Sequence, residues 1–158
     1  MKTLFGVLLW SLFLLLTLLH FVKEERRRLA EEAGLCRLIA HIKEALARAP
    51  IPLPAIYATF RDDALARAGF LSVLQKEGLL SALSSGTLHI ERSALLPLFQ
   101  YAEGLGTRLY AEERRAAEEM LSALLPAIKE KEAALPRREK LTATLFLTGG
   151  GLLLLLLL

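Results

Sequence analysis

The side chains that could carry out chemistry are few and scattered in this 158-residue chain. Its histidines are His20, His41 and His89, and its single cysteine is Cys36. No two of them have the i, i+4 spacing of a helical metal site, and no phosphate loop, nucleophile elbow or dinucleotide fingerprint occurs. We therefore predict a non-enzymatic protein with no metal, cofactor or small-molecule substrate. A membrane-bound enzyme with an unrecognised site around Cys36 and His41 is the catalytic alternative.

Both ends of the chain are long apolar segments. Residues 4–22 contain no Asp, Glu, Lys or Arg, and residues 141–158 are mostly leucine. At ~1.5 Å per residue each segment reaches roughly 27 to 29 Å, close to the ~30 Å hydrocarbon thickness of a bilayer. The sequence predicts an N-terminal transmembrane anchor over residues 1–22 and a C-terminal transmembrane helix over residues 141–158. A cleaved signal peptide is the alternative for the first segment, although no small-x-small cleavage site follows it.

Basic residues border both segments on the side of the middle region, residues 23–140. They are Lys23, Arg26, Arg27, Arg28, Arg137, Arg138 and Lys140. Since Lys and Arg next to a membrane segment stay on the cytoplasmic side, the middle region is expected to be cytoplasmic. The same residues are expected to contact anionic lipids. Interleaved glutamates and a net charge of only +3 argue against nucleic-acid binding.

The middle region has the helical period throughout and no strand signal. Its first apolar face consists of Leu35, Leu38, Ile39, Ile42, Ala45 and Leu46. Apart from Gly34 no breaker separates this face from the first apolar segment. One helix is therefore expected to continue from the membrane until the prolines at 50, 52 and 54 end it.

Shorter helices are predicted between glycine and proline signals. They cover residues 54–64, residues 70–83 and residues 95–102, and Thr107 is the expected N-cap of a last charged helix that continues to Ile128. The predicted fold is all-α, a small helical bundle flanked by two transmembrane helices.

Two groups of residues are candidates for contacts with other helices or proteins. In the last apolar segment small side chains would let helix backbones approach closely; they are Thr144, Thr148, Gly149, Gly150 and Gly151. The densest charge lies at the start of the long charged helix, after a Leu-Gly turn. The predicted docking residues there are Leu105, Gly106, Arg108, Glu112, Glu113 and Arg115.

The order of landmarks resembles the stage III sporulation protein AB family of endospore-forming bacteria. The landmarks are an N-terminal anchor with Gly6, basic residues after it, an amphipathic helix, the turn Pro52-Leu53-Pro54, the pair Leu105-Gly106, a long charged helix and a C-terminal segment rich in Gly and Leu. The soluble part of that family resembles the cytoplasmic domain of the type II secretion platform protein F.

This resemblance implies a component of the mother-cell membrane facing the forespore. The protein would belong to the channel that joins the two cells and would dock the cytoplasmic ATPase of that assembly. A platform of a secretion or pilus system unrelated to sporulation is the competing hypothesis.

Overall fold

Helices form nearly all of the described chain. The computed structural model describes residues 2–157, without the side chains of residues 2–5, 7, 8, 93 and 153–157, so Met1 and Leu158 of the predicted membrane segments lie outside it. The helices of this part are α1 (Lys2–Arg48), α2 (Leu53–Thr59), α3 (Asp63–Arg67), α4 (Phe70–Glu77), α5 (Leu79–Ser84), α6 (Arg92–Gly104) and α7 (Tyr110–Leu157). The described residues form no strand, and the predicted all-α fold is confirmed.

The first helix is uninterrupted, as predicted. α1 is 47 residues long and ends at Arg48, just before the proline-rich linker. Gly34 lies within it, and a Cβ at this position would be 2.9 Å from both Oδ1 of Asp62 and Cγ of Leu65. Glycine is needed here because the start of α3 packs directly on the α1 backbone.

Two predicted helices are divided in the structure. The helix expected over residues 54–64 ends at Thr59, because Asp62 accepts the backbone N–H groups of Ala64 and Leu65 and starts a new helix there. The helix expected over residues 70–83 is divided by Gly78, whose φ of 91° lies outside the helical region.

The contacts of the chain define two compact units. Unit 1 combines the start of α1, up to Arg26, with the end of α7, from Glu130 onward, and unit 2 is Arg27–Lys129. The middle domain expected over residues 23–140 is thus longer than unit 2 at both ends.

Unit 2 has an apolar core. The second half of α1 contributes the buried face that was predicted from its helical period, and the short helices surround it. The largest fully buried apolar side chains are Leu38, Ile39, Ile42, Ile56, Leu65, Phe70 and Leu74. α7 closes this core with buried Ala117, Leu121 and Ile128.

Unit 1 is an antiparallel pair of helices. Arg26 of α1 contacts Glu139 of α7, and Leu14 lies next to Gly150, so the two helices run in opposite directions. Among the residues that the structure describes, no helix combines the length and the apolarity needed to cross a membrane.

Candidate functional site

The turn between α6 and α7 is held by one buried carboxylate. Gly106 has a φ of +87°, and its N–H donates to Oε1 of Glu113 at 2.6 Å. The N–H of Arg108 donates to the same oxygen at 3.4 Å. Glu113 is only 5% exposed, so this predicted docking residue shapes the turn from inside.

Glu112 acts on the same turn from the outside. Its Oε2 accepts the backbone N–H of Leu109 at 3.3 Å, the contact of a capping box. The predicted N-cap, Thr107, has another role: its hydroxyl donates to the Gly104 carbonyl, and α7 begins only at Tyr110. The reason is that the left-handed Gly106 turns the chain first, so the helix starts later.

The other predicted docking residues differ in their exposure. Leu105 is half-buried against the core, whereas Arg108 and Arg115 are exposed. The Arg108 guanidinium lies directly over Gly104, where a Cβ would collide with it. Arg115 pairs with Glu119 at 3.2 Å on the surface of α7.

A neighbouring apolar surface was not predicted. The Tyr110 hydroxyl donates to the Ala49 carbonyl, which brings the start of α7, with exposed Leu109 and Tyr110, close to the exposed linker residues Pro50, Ile51 and Pro52 that follow Ala49. We call these five exposed residues the loop patch. The sequence shows that these linker residues are apolar, but their nearness to the start of α7 depends on tertiary structure.

Of the predicted packing residues in unit 1, Gly150 is the buried one. A Cβ on Gly150 would collide with Cδ1 of Leu14. Thr144 and Thr148 are exposed, and their hydroxyls donate to carbonyls of their own helix at 2.9 Å and 2.7 Å. Gly149 and Gly151 are also exposed, and Gly151 lines an apolar groove of about 490 Å³ between α1 and α7.

Two ion pairs join the helices of unit 1 where its apolar stretch ends. Arg26 binds both oxygens of Glu139, at 2.6 Å and 2.8 Å, and Arg138 approaches Glu25 at 3.9 Å. The hydrogen bond with Glu139 raises the pKa of Arg26, and the same bond lowers the pKa of Glu139. Both arginines are exposed and both carboxylates are half-buried, so we assign these pairs to orientation of the helices rather than to stability.

The residues of the catalytic alternative lie on different sides of α1. Cys36 and His41 are five residues apart, which is about 140° around a helix. Burial raises the pKa of the Cys36 thiol, which disfavours the nucleophilic thiolate. His41 contacts the Thr59 hydroxyl at 3.1 Å and packs on the Phe60 ring. The described part of the chain contains no group of three or more His, Cys, Asp or Glu that could hold a metal ion.

The third histidine belongs to a buried contact that the sequence did not predict. Glu31 of α1 is 1% exposed, and it accepts the backbone N–H of His89 at 2.7 Å. Its other oxygen contacts Nδ1 of His89 and Nε of Arg27, each at 3.2 Å. This carboxylate ties the loop before α6 to α1 and has a structural role.

A scan of protein-family models, a search of curated proteins and a search of solved structures found no match to this chain. Function is therefore inferred from the residues and their arrangement.

Proposed function

We propose that this chain is a non-enzymatic, membrane-anchored adaptor. In this proposal the apolar segments of unit 1, residues 4–22 and 141–158, lie in the bilayer, unit 2 lies in the cytoplasm, and the turn between α6 and α7 belongs to a docking surface for a protein partner. The observation that carries the proposal is the surface of unit 1, on which many large apolar side chains are exposed.

Exposed leucines cover both helices of unit 1. Leu145 and Leu147 of α7 are 69% and 74% exposed. The others with large exposed fractions are Leu9, Leu12, Phe13, Leu15, Leu16, Leu19, Phe21, Leu141 and Leu152. Contiguous apolar surface of this kind is rare on soluble proteins and marks contact with a membrane or another protein. A bilayer would cover all sides of the pair at once, which supports insertion.

Charges at one end of unit 1 support the same placement. Beyond Val22 the chain carries Arg26 and Arg27, and before Leu141 it carries Arg137 and Arg138. Basic residues of this kind hold the adjoining region in the cytoplasm and contact anionic lipids. Across the helix pair Glu139 contacts Arg26 and Glu25 approaches Arg138. These carboxylates leave the cluster weakly basic, which favours lipid over nucleic acid as its surroundings.

We further propose that the adaptor belongs to the channel between mother cell and forespore, in the mother-cell membrane, and docks the cytoplasmic ATPase of that channel. The order of landmarks shared with the stage III sporulation protein AB family supports this assignment. A deletion of the gene in its host tests it through the count of heat-resistant spores. Arrest after engulfment, restored by the full chain, is expected; normal sporulation would contradict the assignment.

Membrane anchoring is tested separately by carbonate extraction of host membranes. The full chain should stay in the membrane pellet, and Leu15→Glu with Leu147→Glu should make it more extractable, because each of the two helices then carries a charge that costs about 2.5 to 3.5 kcal/mol within the bilayer. The matched control is Leu80→Glu with Leu96→Glu, two exposed leucines of unit 2. Equal extraction of both variants would contradict the placement of unit 1.

A further inference from the structure

The loop patch presents apolar side chains in a fixed arrangement. Leu109 is 74% exposed, although it directly precedes a helix of 48 residues. The hydrogen bond from Tyr110 to the Ala49 carbonyl joins the two chain segments that form the patch. A Cβ on Gly106 would be 3.4 Å from Leu53, so the turn also packs directly on the start of α2.

Backbone hydrogen bonds hold the turn that carries Leu109. The N–H groups of Gly106, Arg108 and Leu109 all donate to carboxylates of α7, from Glu113 and Glu112. The backbone of this turn therefore loses little conformational freedom when Leu109 binds. This is the property of an anchor residue at a protein interface.

Two arginines beside the patch lack carboxylate partners among the described residues. Arg108 adjoins Leu109 in the chain, and Arg114 lies one helical turn after Tyr110 on the same face of α7. On this part of α7, Glu119 pairs with Arg115, and Glu112 accepts the Leu109 N–H. The patch is therefore apolar, and two arginines without ion-pair partners among the described residues adjoin it.

We infer that the loop patch binds a protein partner whose apolar pocket is bordered by Asp or Glu side chains. Leu109 is the anchor in this pocket, and Arg108 and Arg114 pair with its acidic border. The inference rests on the proposed adaptor role and specifies the surface and the chemistry of the partner.

Charge and rigidity distinguish this partner from two other occupants. A second copy of the chain would place the same arginines against each other, and like charges oppose such an interface. Stable attachment to an anionic membrane takes a polybasic patch, and two unpaired arginines do not make one. A fixed arrangement of Leu, Tyr and Ile instead suits a shaped pocket.

Site-specific photo-crosslinking of the full chain in host membranes tests the inference. Leu109→benzoylphenylalanine places the crosslinker in the patch, and Leu96→benzoylphenylalanine places it on another exposed leucine of unit 2. The adduct is identified by mass spectrometry. We expect an adduct with one other protein from position 109 alone, attached within a segment that carries Asp or Glu side chains.

Charge reversal provides the second criterion. Arg108→Glu with Arg114→Glu should lower the yield of that adduct about tenfold or more, because the acidic border then repels the patch. The control, Lys76→Glu with Arg92→Glu, changes the net charge equally at exposed positions of α4 and α6 and should leave the yield unchanged.

Several results would overturn the inference: an adduct with lipid, an adduct with a second copy, equal adducts from positions 109 and 96, no adduct, or a yield insensitive to charge reversal. Carbonate extraction of the same membranes separates the two proposals. An adduct that meets both criteria on a chain that carbonate releases would contradict the anchoring alone. A firmly anchored chain without the adduct would contradict the loop patch alone.

Discussion

The carboxylate of Glu113, on the first turn of α7, accepts the backbone N–H of Gly106 at 2.6 Å. This bond fixes the left-handed turn that separates α6 from α7 and positions the Leu109 anchor. The second carboxylate oxygen of Glu113, Oε2, is buried and has no hydrogen-bond partner among the described residues. Glu113 is thus a structural residue within the predicted docking segment.

Glu113→Ala should destabilise unit 2, because it leaves the N–H groups of Gly106 and Arg108 without their acceptor. We expect a loss of about 1 to 3 kcal/mol in the free energy of unfolding, measured by urea denaturation of the full chain in detergent. Glu119→Ala, an exposed position on the same helix, should change it by less than about 0.5 kcal/mol. Equal stability of the two variants would contradict the role given to Glu113.

Glu31→Ala removes the acceptor that holds the loop before α6. The N–H of His89 then loses its 2.7 Å hydrogen bond to the buried Glu31 carboxylate, and we expect a loss of about 1 to 3 kcal/mol by the same urea measurement. Glu77→Ala, at an exposed position of α4, is the comparison. If loss of Glu31 left the unfolding midpoint unchanged, its bond to the loop would contribute nothing to the fold.

Gly150→Leu should disrupt the helix pair of unit 1, because its side chain would occupy the position of Leu14. Gly149→Leu is the matched control, since a Cβ there has no neighbour within 4 Å. The thermal midpoint in detergent should fall for the first variant only. Leu14→Ala should restore part of the loss in Gly150→Leu, and purely additive effects of these two changes would argue against direct packing.

Two buried tyrosines make stability depend on alkaline pH. Burial raises the pKa of Tyr57 to about 12, with a smaller contribution from Glu113, and the same causes raise the pKa of Tyr101 further. The unfolded chain loses these protons near pH 10, so it binds fewer protons than the folded chain above that pH. Stability is therefore full below about pH 10 and falls between about pH 10 and 12, by up to about 1.4 kcal/mol per pH unit for each tyrosine.

Urea denaturation across this pH range measures the effect. Tyr57→Phe with Tyr101→Phe should flatten the fall, because the variant lacks both of the raised groups. An unchanged slope in this variant would show that other groups cause the alkaline loss.

Much of the fold was predictable from local patterns. The helical period gave the buried face of α1, and the prolines from position 50 gave its end. The apolar period did not predict where two helices divide, because each division depends on a single residue. Asp62 caps a new helix, and the φ of Gly78 lies outside the helical region. Apolar periodicity identifies a buried face, but capping and positive φ decide where each helix ends.

The candidate site was less predictable. The density of charge pointed to the start of α7 but could not distinguish buried Glu113 from exposed Arg108. The two segments of the loop patch are brought together by the bond between Tyr110 and Ala49, which joins residues far apart in sequence. Among the small residues of the last apolar segment, Gly150 is distinguished by its packing against Leu14, and this contact depends on tertiary structure.

The central claim is that the apolar segments of unit 1, residues 4–22 and 141–158, lie in the bilayer and unit 2 in the cytoplasm. Cysteine accessibility tests it most directly. In a Cys36→Ser background, Leu145→Cys and Leu96→Cys are treated with a membrane-impermeant maleimide, on intact cells and on inside-out vesicles. We predict that the Leu145 variant stays unlabelled in both and that the Leu96 variant is labelled in the vesicles only. Rapid labelling of the Leu145 variant, or labelling of the Leu96 variant on intact cells, would contradict the account.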